Sequence, residues 1–373
     1  MKRDSLFYKF YYQWWKNIDK SIFILISLLF TIGLFFSLVS TSLIASDKLE
    51  TNSYFFFFKH LIYVLIGIII IFIFSSFSKD KLFKYSIILF FVFFFSLFLV
   101  PIIGIEVKGS RRWIDLIFLP RFQPIEVLKP FLIIFIATIL CKNKINIIYK
   151  YLLSTFLISI ISLLLIIQPD IGQTLLVVFS WVILIFTSGI SIYFLLTIFI
   201  LGSALLTYLI IYLPKFDYIQ GRIFSFFNRE TGSHNFQSDK AIESITSGGF
   251  FGKGIGEGTL KNRVPEAHTD YIISVISEEF GVVAIILILL LFLIFIYMVF
   301  KKISIEADDK IKLILIGSIS LILMQATIHV GVNIRLFPTT GMTLPFLSYG
   351  GSSIVSTSIL AGIILNLTKR KIS

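Results

Sequence analysis

The stretch VPEAHTDYIISVISEEFGVVAIILILLLFLIFIYMVF, residues 264–300, places the carboxylates Asp270, Glu278 and Glu279 just before a run without any charge. An apolar run of about 20 residues has the length that crosses about 30 Å of hydrocarbon. Carboxylates at the edge of such a run must face the interior of a helix bundle or a water-filled cavity. The stretch therefore predicts a membrane-spanning helix that begins beside a polar site.

Apolar runs of this length recur along the whole chain, whose 373 residues are 57% hydrophobic and include 42 Phe. The mean hydropathy of +0.95 is well above that of a soluble domain. Membrane β-strands would alternate over about 10 residues, which is not seen. We therefore predict an all-α polytopic membrane protein. Its net charge of +12 does not indicate nucleic acid, because Lys and Arg gather in cytoplasmic loops.

We predict about ten spans, at 21–45, 56–77, 85–103, 124–141, 151–167, 173–189, 191–213, 271–300, 311–334 and 353–368. The lysines between spans, which we expect in loops on the side of the basic N-terminus, are Lys79, Lys81, Lys84, Lys142, Lys144, Lys150, Lys301, Lys302 and Lys310. The positive-inside rule then places the tails 1–20 and 369–373 in the cytoplasm. A single transmembrane domain, 21–368, carries a large extracytoplasmic loop, 214–269, between helices 7 and 8.

The outer loop between the third and fourth spans carries cations, against the orientation rule. They are Lys108, Arg111, Arg112 and Arg121. Clustered cations on the outer face predict an anionic ligand there.

Two further outer segments carry paired polar residues. In QPIEVLKP, Pro124 suits the first position of a helix, on which Glu126 and Lys129 share a face. They form either a site or a stabilising ion pair at the membrane interface. In QPDIGQTLL, Asp170 and Gln173 have the spacing of a capping box, which explains the Asp without any chemistry.

Asp270 admits two interpretations. It is either the cap of the helix that begins near Tyr271 or a general base that accepts a proton from a hydroxyl. The preceding stretch GGFFGKGIGEG permits close backbone approach, so its N–H groups are candidates to line an anion site. It lacks the Gly-Lys-Ser/Thr ending of a Walker loop, and no organic cofactor is expected.

The segment FPTTGMTLPFLSYGGSS, residues 337–353, cannot be a regular span because it contains two prolines and three glycines. Non-helical chain at membrane depth must be buried in protein or line a cavity. We expect it to form a wall of the site, and we include its Ser348 and Tyr349 among the candidate substrate-binding residues. Arg222, from the long outer loop, joins the same set.

Metal-ligand spacing is absent from the sequence. The four histidines are isolated, and the single cysteine, Cys141, is expected near the cytoplasmic face. A loosely bound divalent cation, Mg²⁺ or Mn²⁺, on carboxylate and diphosphate oxygens stays open.

The motifs together resemble the SEDS (shape, elongation, division and sporulation) glycosyltransferases. They are QPIEVLKP, QPDIGQTLL, GGFFGKG, PEAHTDYIISVISEEFG and TTGMTLPFLSYGGSS, in this order. The resemblance covers nearly the whole chain. The start YQWWKNIDK and the run GIGEGTLKNRVPEAHTDY are more similar to division-type (FtsW-like) members, in an alphaproteobacterial style, than to elongation-type (RodA-like) members.

The resemblance implies an inner-membrane enzyme that polymerises lipid II, a disaccharide-pentapeptide on undecaprenyl diphosphate, during septal cell-wall synthesis. It implies Asp270 as the catalytic carboxylate. It also implies substrate-binding roles for Arg112, Glu126, Lys129 and Asp170. The expected partners are a class B penicillin-binding protein, the septal transpeptidase, and other membrane proteins of the divisome.

The sequence departs from the family pattern at three positions. Ile125 stands where Ser is usual, His329 where Asn is general, and Arg335 where a small residue is usual. Two other functions remain open at this point, a lipid II flippase and a membrane scaffold that only recruits a transpeptidase. A transporter would be expected to show two related halves, which the sequence lacks.

Overall fold

The computed structural model describes residues 6–40, 54–107, 110–116, 119–143, 146–212, 216–228, 236–259, 264 and 266–369. Its helices are α1 (Leu6–Asn17), α2 (Lys20–Ser40), α3 (Phe55–Ser76), α4 (Lys79–Ile103), α5 (Pro124–Leu140), α6 (Ile147–Ile167), α7 (Ile171–Thr187), α8 (Ile192–Tyr212), α9 (Asp217–Asn228), α10 (Phe236–Gly248), α11 (Ile272–Ile305), α12 (Asp309–Asn333) and α13 (Gly351–Leu367). The all-α class is therefore confirmed.

A helix occupies every predicted span. Six helices within the described ranges are long and apolar enough to cross a membrane, namely α2, α3, α4, α6, α11 and α12. The helices α5, α7, α8 and α13 fill the other predicted spans. The chain is thus a multi-pass membrane protein, and the total of ten crossings remains a prediction.

Several boundaries differ from the prediction. The first predicted span, 21–45, is helical only to Ser40, and the residues after it lie outside the described part. The predicted tail 1–20 contains helix α1. The expected loop lysines lie mostly in terminal turns, for example Lys79 at the start of α4 and Lys302 at the end of α11. Lysine favours helix and its long side chain reaches water from a helix end, so basic residues need not mark a loop.

The centre of the bundle consists of α5, α12 and α13. Nearly every residue of α5 and α13 is buried, and α13 packs along α3 for most of its length. By contrast, most residues of α8 are exposed. Large exposed apolar side chains on α3, α4, α6 and α8, such as Phe95 and Phe199, face outward, as lipid-facing residues do.

One end of the bundle collects the basic segments. Nε1 of Trp14 donates to Oγ of Ser75 over 2.8 Å, and Nζ of Lys302 lies 2.8 Å from a carboxylate oxygen of Asp19. Nζ of Lys369 donates to the carbonyl of Phe77 over 3.2 Å. These contacts join α1, α2, the end of α3, the end of α11 and the end of α13 at one face. The predicted grouping of both ends of the chain on one side agrees with this arrangement, whereas its cytoplasmic location remains a prediction.

A small sheet lies at the other end, between α4 and α5. Its antiparallel strands are β1 (Ile105–Val107), β2 (Ser110–Leu116) and β3 (Leu119–Phe122), in that order across the sheet. Ile105 is opposite Trp113, and Ile114 is opposite Phe122. The predicted cationic loop is therefore a folded unit in its described part.

Helix α11 consists of two helices joined at Gly281, whose φ of 76° and ψ of 180° are not helical. The first part, 272–280, is almost wholly buried, whereas the second alternates buried and lipid-facing residues. The glycine-rich loop after α10 wraps this joint, because the N–H groups of Val282 and Val283 donate to the carbonyls of Gly249 and Phe250. A Cβ on Gly281 would lie 2.1 Å from the carbonyl oxygen of Phe250.

We expect Gly281→Ala to lower the free energy of unfolding by about 3 kcal/mol or more, because a positive φ and a steric clash add together. Gly249→Ala separates the two effects, since its φ is 58° but a Cβ there meets nothing within 4 Å. It should cost about 1–2 kcal/mol. Gly202→Ala in α8, with open space and no positive φ, is the neutral control. Thermal unfolding in detergent measures all three, and equal stability of the Gly281 and Gly202 variants contradicts this account of the joint.

Candidate active site

Asp270 lies half-buried at the end of the bundle opposite the basic segments, immediately before α11. The residue in the capping position of α11 is Tyr271, whose side chain makes no capping hydrogen bond, and Asp270 directly precedes it. The N–H of Asp270 donates to the carbonyl of Glu266 over 3.1 Å. Its own carbonyl accepts from Nδ2 of Asn333 over 3.0 Å.

The carboxylate of Asp270 adjoins the segment after α12. A Cβ placed on Gly341 would stand 3.5 Å from Oδ2 of Asp270. Gly341 also has a φ of 69°, so its conformation favours glycine, whereas a Cβ there would meet the carboxylate only at an ordinary van der Waals distance. This glycine was not singled out in the sequence, where nothing distinguishes it from the other glycines of its loop.

The segment 337–350 enters the bundle from this end, as expected for a wall of the site. Phe346 is 1% exposed, and its ring centroid lies 5.3 Å from that of Phe30 and 6.4 Å from that of Phe292. Phe292 is about 16 Å along α11 from Gly281, given a rise of 1.5 Å per residue. The segment therefore descends well into the bundle and is covered by protein there.

Ser348 and Tyr349 have different surroundings. Ser348 is buried and its Oγ accepts from the N–H of Leu344 over 2.9 Å, so this hydroxyl closes a turn. The N–H of Tyr349 donates to the carbonyl of His268 over 3.1 Å, which ties the segment to the residues before Asp270. Among these residues only Tyr349 borders the half-buried region around Asp270.

The aromatic groups beside Asp270 are uncharged at neutral pH. Burial lowers the pKa of His268, against the opposing charge of Glu266. Burial, with a smaller effect of Tyr63, raises the pKa of Tyr349 to about 12. The rings of His268 and Phe56 lie 4.3 Å apart between centroids. Neither His268 nor Tyr349 therefore supplies a formal charge to this region.

Asp170 joins the sheet to the start of α7. Its Oδ1 accepts from the N–H of Gln173, so Asp170 caps α7 as predicted. The reciprocal bond of a capping box is not formed, because the side chain of Gln173 binds Glu126 and Lys129. Oδ2 of Asp170 accepts from Nε2 of Gln123 over 2.8 Å, and the guanidinium of Arg112 lies 3.7 Å from Oδ1. Arg112 also donates to the carbonyls of Gln168 and Pro169. Burial raises the pKa of Asp170, and Arg112 opposes that effect.

The Asp170 group reaches the segment that borders Asp270. A Cβ on Gly172 would stand 2.9 Å from Cβ of Thr340 and 3.1 Å from the sulfur of Met342. The residues on both sides of Gly341 therefore pack on the first turn of α7. The three separate motifs around Asp170, Asp270 and Gly341 meet at one place.

Glu126 and Lys129 form a closed polar group inside the bundle. Nζ of Lys129 lies 2.9 Å from Oε2 of Glu126 and donates to Oε1 of Gln173 over 2.9 Å. Nε2 of Gln173 in turn donates to Oε1 of Glu126 over 2.5 Å. The side chain of Lys129 is 0% exposed. The structure thus supports the ion-pair interpretation of Glu126 and Lys129.

The remaining predicted cations lie on the sheet or outside the described part. Arg111 is exposed and lies 3.6 Å from Glu106, and Arg121 is exposed and lies 2.9 Å from Asp115. Lys108 lies outside the described residues, and the side chain of Arg222, in α9, is likewise not described.

The glycine-rich loop binds the carboxyl end of the first part of α11, just before the joint at Gly281. The N–H groups of Lys253 and Gly254 donate to the carbonyls of Glu278 and Glu279. The N–H of Gly256 donates to a carboxylate oxygen of Glu279 over 2.5 Å. The sequence suggested that these N–H groups bind an external anion, but the anion that they hold belongs to the protein. No glycine-specific signal in the sequence separates the two cases.

The carboxylate of Glu278, at the start of α11, faces protein, as expected. Oγ of Ser244 in α10 donates to the carbonyl of Ser274 over 3.2 Å and to Oε2 of Glu278 over 3.1 Å. Oε1 of Glu278 lies 3.4 Å from Nζ of Lys253. The buried carboxylates therefore fasten α10 and the glycine-rich loop to the segment that carries Asp270.

Two departures from the family pattern now have contacts. Nδ1 of His329 lies 2.7 Å from the carbonyl of Met342. The guanidinium of Arg335 lies 2.5 Å from Oδ1 of Asp239 in α10.

As for a divalent cation, no group of three or more His, Cys, Asp or Glu residues suited to hold one occurs among the described residues. Among the residues around Asp270 that the structure describes, the donor set therefore does not fit a resident metal.

The fold and this site define an integral membrane protein with a half-buried carboxylate at one end of its helix bundle. The model of the FtsW/RodA/SpoVE cell cycle protein family matches residues 19–372. The chain belongs to this family.

Individual relatives agree. The probable peptidoglycan glycosyltransferase FtsW of Coxiella burnetii is 33% identical over 341 residues, which are 88% of this chain and 90% of the relative. The protein of the same name from Caulobacter vibrioides is 29% identical over 362 residues, 96% of this chain and 91% of the relative. A solved structure of a peptidoglycan synthase complex that coordinates polymerization and crosslinking matches with a TM-score of 0.77 at 25% identity, over 94% of this chain and 97% of the other.

We expect Lys129→Met to destabilise the protein by about 3–5 kcal/mol, because it leaves Glu126 charged and buried without its cation. The double variant Glu126→Gln with Lys129→Met removes both charges and should recover most of that loss. Thermal unfolding of the two variants checks this. If Lys129→Met leaves stability intact, the group is not a buried ion pair and Lys129 is free to act on a ligand.

Proposed function

We propose that this chain is a peptidoglycan glycosyltransferase that polymerises lipid II into glycan strands during septal cell-wall synthesis. The observation that carries the proposal is the half-buried carboxylate of Asp270, at the end of the bundle opposite the basic segments. The names of the relatives from Coxiella burnetii and Caulobacter vibrioides support the reaction class. Septal synthesis rests on the same names and on the division-type motifs.

Asp270 acts as the general base. Its carboxylate takes the proton of the 4-hydroxyl of the acceptor sugar while that oxygen bonds to the anomeric carbon of the donor. The bond from this carbon to the diphosphate oxygen breaks, and undecaprenyl diphosphate leaves with the electron pair. A positioned base of this kind contributes about 10²–10⁴-fold to a rate.

The leaving diphosphate needs positive charge. Arg111 and Arg121 are suited to supply it, because exposed ion pairs such as theirs are worth only about 0–1 kcal/mol and exchange partners easily. Arg112 lies nearer to the centre of the site and holds Asp170 in place. Lys129 contributes indirectly, by joining α5 to α7 through Gln173. Any divalent cation would need ligands from the substrate.

The partner that we propose is a class B penicillin-binding protein, with the enzyme in the inner membrane and Asp270 on the outer side. The synthase complex that resembles this chain coordinates polymerization with crosslinking, which supports a crosslinking partner. Basic segments gathered at the other end of the bundle support the orientation.

We expect Asp270→Asn to reduce lipid II polymerisation by about 10²-fold or more, because the amide cannot accept the proton in place of the carboxylate. The assay uses the purified full chain with its penicillin-binding partner, lipid II and a divalent cation, and it measures glycan strands by gel.

Asp217→Asn is the matched control, since Asp217 is an exposed carboxylate in the first turn of α9 and is assigned no role in the reaction. It should retain polymerisation. Full activity of Asp270→Asn would show that this carboxylate is not the base. Lipid II translocation into vesicles without any polymer would favour a flippase.

A further inference from the structure

Two polar side chains of α12 hold the backbone on both sides of the Asp270 carboxylate. His329 and Asn333 lie one helical turn apart on one face of α12. His329 binds the segment that carries Gly341, and Asn333 binds the residue that carries the carboxylate itself. Both residues are at most 1% exposed.

The His329 contact has a defined direction. Its partner, the carbonyl of Met342, can only accept, so Nδ1 of His329 carries the proton and donates over 2.7 Å. Met342 follows Gly341 directly, and a Cβ on Gly341 would stand 3.5 Å from Oδ2 of Asp270. The hydrogen bond therefore fixes how closely the segment approaches the carboxylate.

The Asn333 contact acts on the other side. Nδ2 of Asn333 donates to the carbonyl of Asp270 over 3.0 Å and to the carbonyl of His329 over 2.9 Å. One amide thus ties Asp270 to the helical turn that carries His329. The two backbone segments that flank the carboxylate are held by the same turn of the same helix.

Burying the polar side chains of His329 and Asn333 costs free energy, and filling space in the bundle would not require polar residues. Nε2 of His329 and Oδ1 of Asn333 are buried without a hydrogen-bond partner among the described residues. Buried polar atoms in that state are unfavourable, and apolar side chains of similar volume would fill the space without it. What the polar side chains add is directional hydrogen bonds to two chosen carbonyls.

We propose that His329 and Asn333 are positioning residues that set the distance and orientation of the Asp270 carboxylate against the segment at Gly341. The inference rests on the proposed function of Asp270 as the base. A misplacement of about 1 Å at a reacting group costs about 10²-fold in rate. Loss of either hydrogen bond should therefore lower kcat and leave KM for lipid II nearly unchanged, because neither residue binds substrate.

Two variants of His329 separate a hydrogen bond from a filled volume. In His329→Asn the amide nitrogen is attached to Cγ, as Nδ1 is, so it can donate to Met342 in the same place. In His329→Gln the amide nitrogen is one bond further out, near the position of Nε2. We expect kcat to fall about 10–100-fold in His329→Gln and His329→Phe and to be restored within about threefold in His329→Asn. Asn333→Leu should behave as His329→Phe does.

The polymerisation assay of these variants includes the wild type and Asp270→Asn, each with the penicillin-binding partner present. If the wild type makes no polymer, or if Asp270→Asn remains active, the proposed function fails, and the failure concerns Asp270 rather than His329. A second measurement, which needs no turnover, then decides the inference by itself.

That measurement uses Asp270→Cys combined with Cys141→Ser, which leaves one thiol because Cys141 is the single cysteine of the chain. The two side-chain hydrogen bonds act on backbone carbonyls and so persist in this background. The labelling rate of the thiol by a charged methanethiosulfonate reagent should change at least threefold on adding His329→Gln or Asn333→Leu, but not on adding His329→Asn. Equal rates in all four proteins overturn the inference, as does a kcat for His329→Gln equal to that of the wild type.

Discussion

Chain that is not helical can enter a membrane protein only if other groups satisfy its backbone, and the segment 337–350 depends on this constraint. Side chains from neighbouring helices and from the segment itself supply the bonds. Gln325 and His329 bind the carbonyls of Thr343 and Met342, and Ser348 binds the N–H of Leu344. The site around Asp270 exists because this segment is held against α7 and α12, so the polar residues of those helices are as much a part of it as the carboxylate.

The buried charges obey the same requirement for partners. Inside the bundle, Lys129 forms an ion pair with Glu126 and a hydrogen bond with Gln173. Nearer the end of the bundle, Arg112 forms an ion pair with Asp170. The exposed cations Arg111 and Arg121 lie on the sheet, at the end of the bundle opposite the basic segments. The buried ion pairs therefore lie beside two exposed cations, Arg111 and Arg121, that can exchange partners.

Much of the fold was predictable because its signals are local. An apolar run reports a span whatever it packs against, and the spacing of Asp170 and Gln173 reports a cap, which the structure contains. The place of Asp270 before a long apolar run indicated a polar site but left its role open, and only the family resemblance implied that it is catalytic, which stays a prediction. Hydrogen bonds between residues far apart in the chain could not be predicted, because they depend on how the helices pack. Examples are the bond from Gln173 to Glu126 and the bond from Asn333 to the carbonyl of Asp270. The joint at Gly281 was hidden for the opposite reason, since the surrounding sequence reads as one continuous helix.

The joint at Gly281 also divides the molecule mechanically. Residues 272–280 are fastened by Glu278 and Glu279 to α10 and the glycine-rich loop, whereas the rest of α11 is anchored at its far end by Lys302. Asp270 consequently belongs to the part of the chain before the joint, which is fastened to α10 and the glycine-rich loop rather than to Lys302. A displacement of α10 therefore reaches the carboxylate without first tilting the longer part of α11.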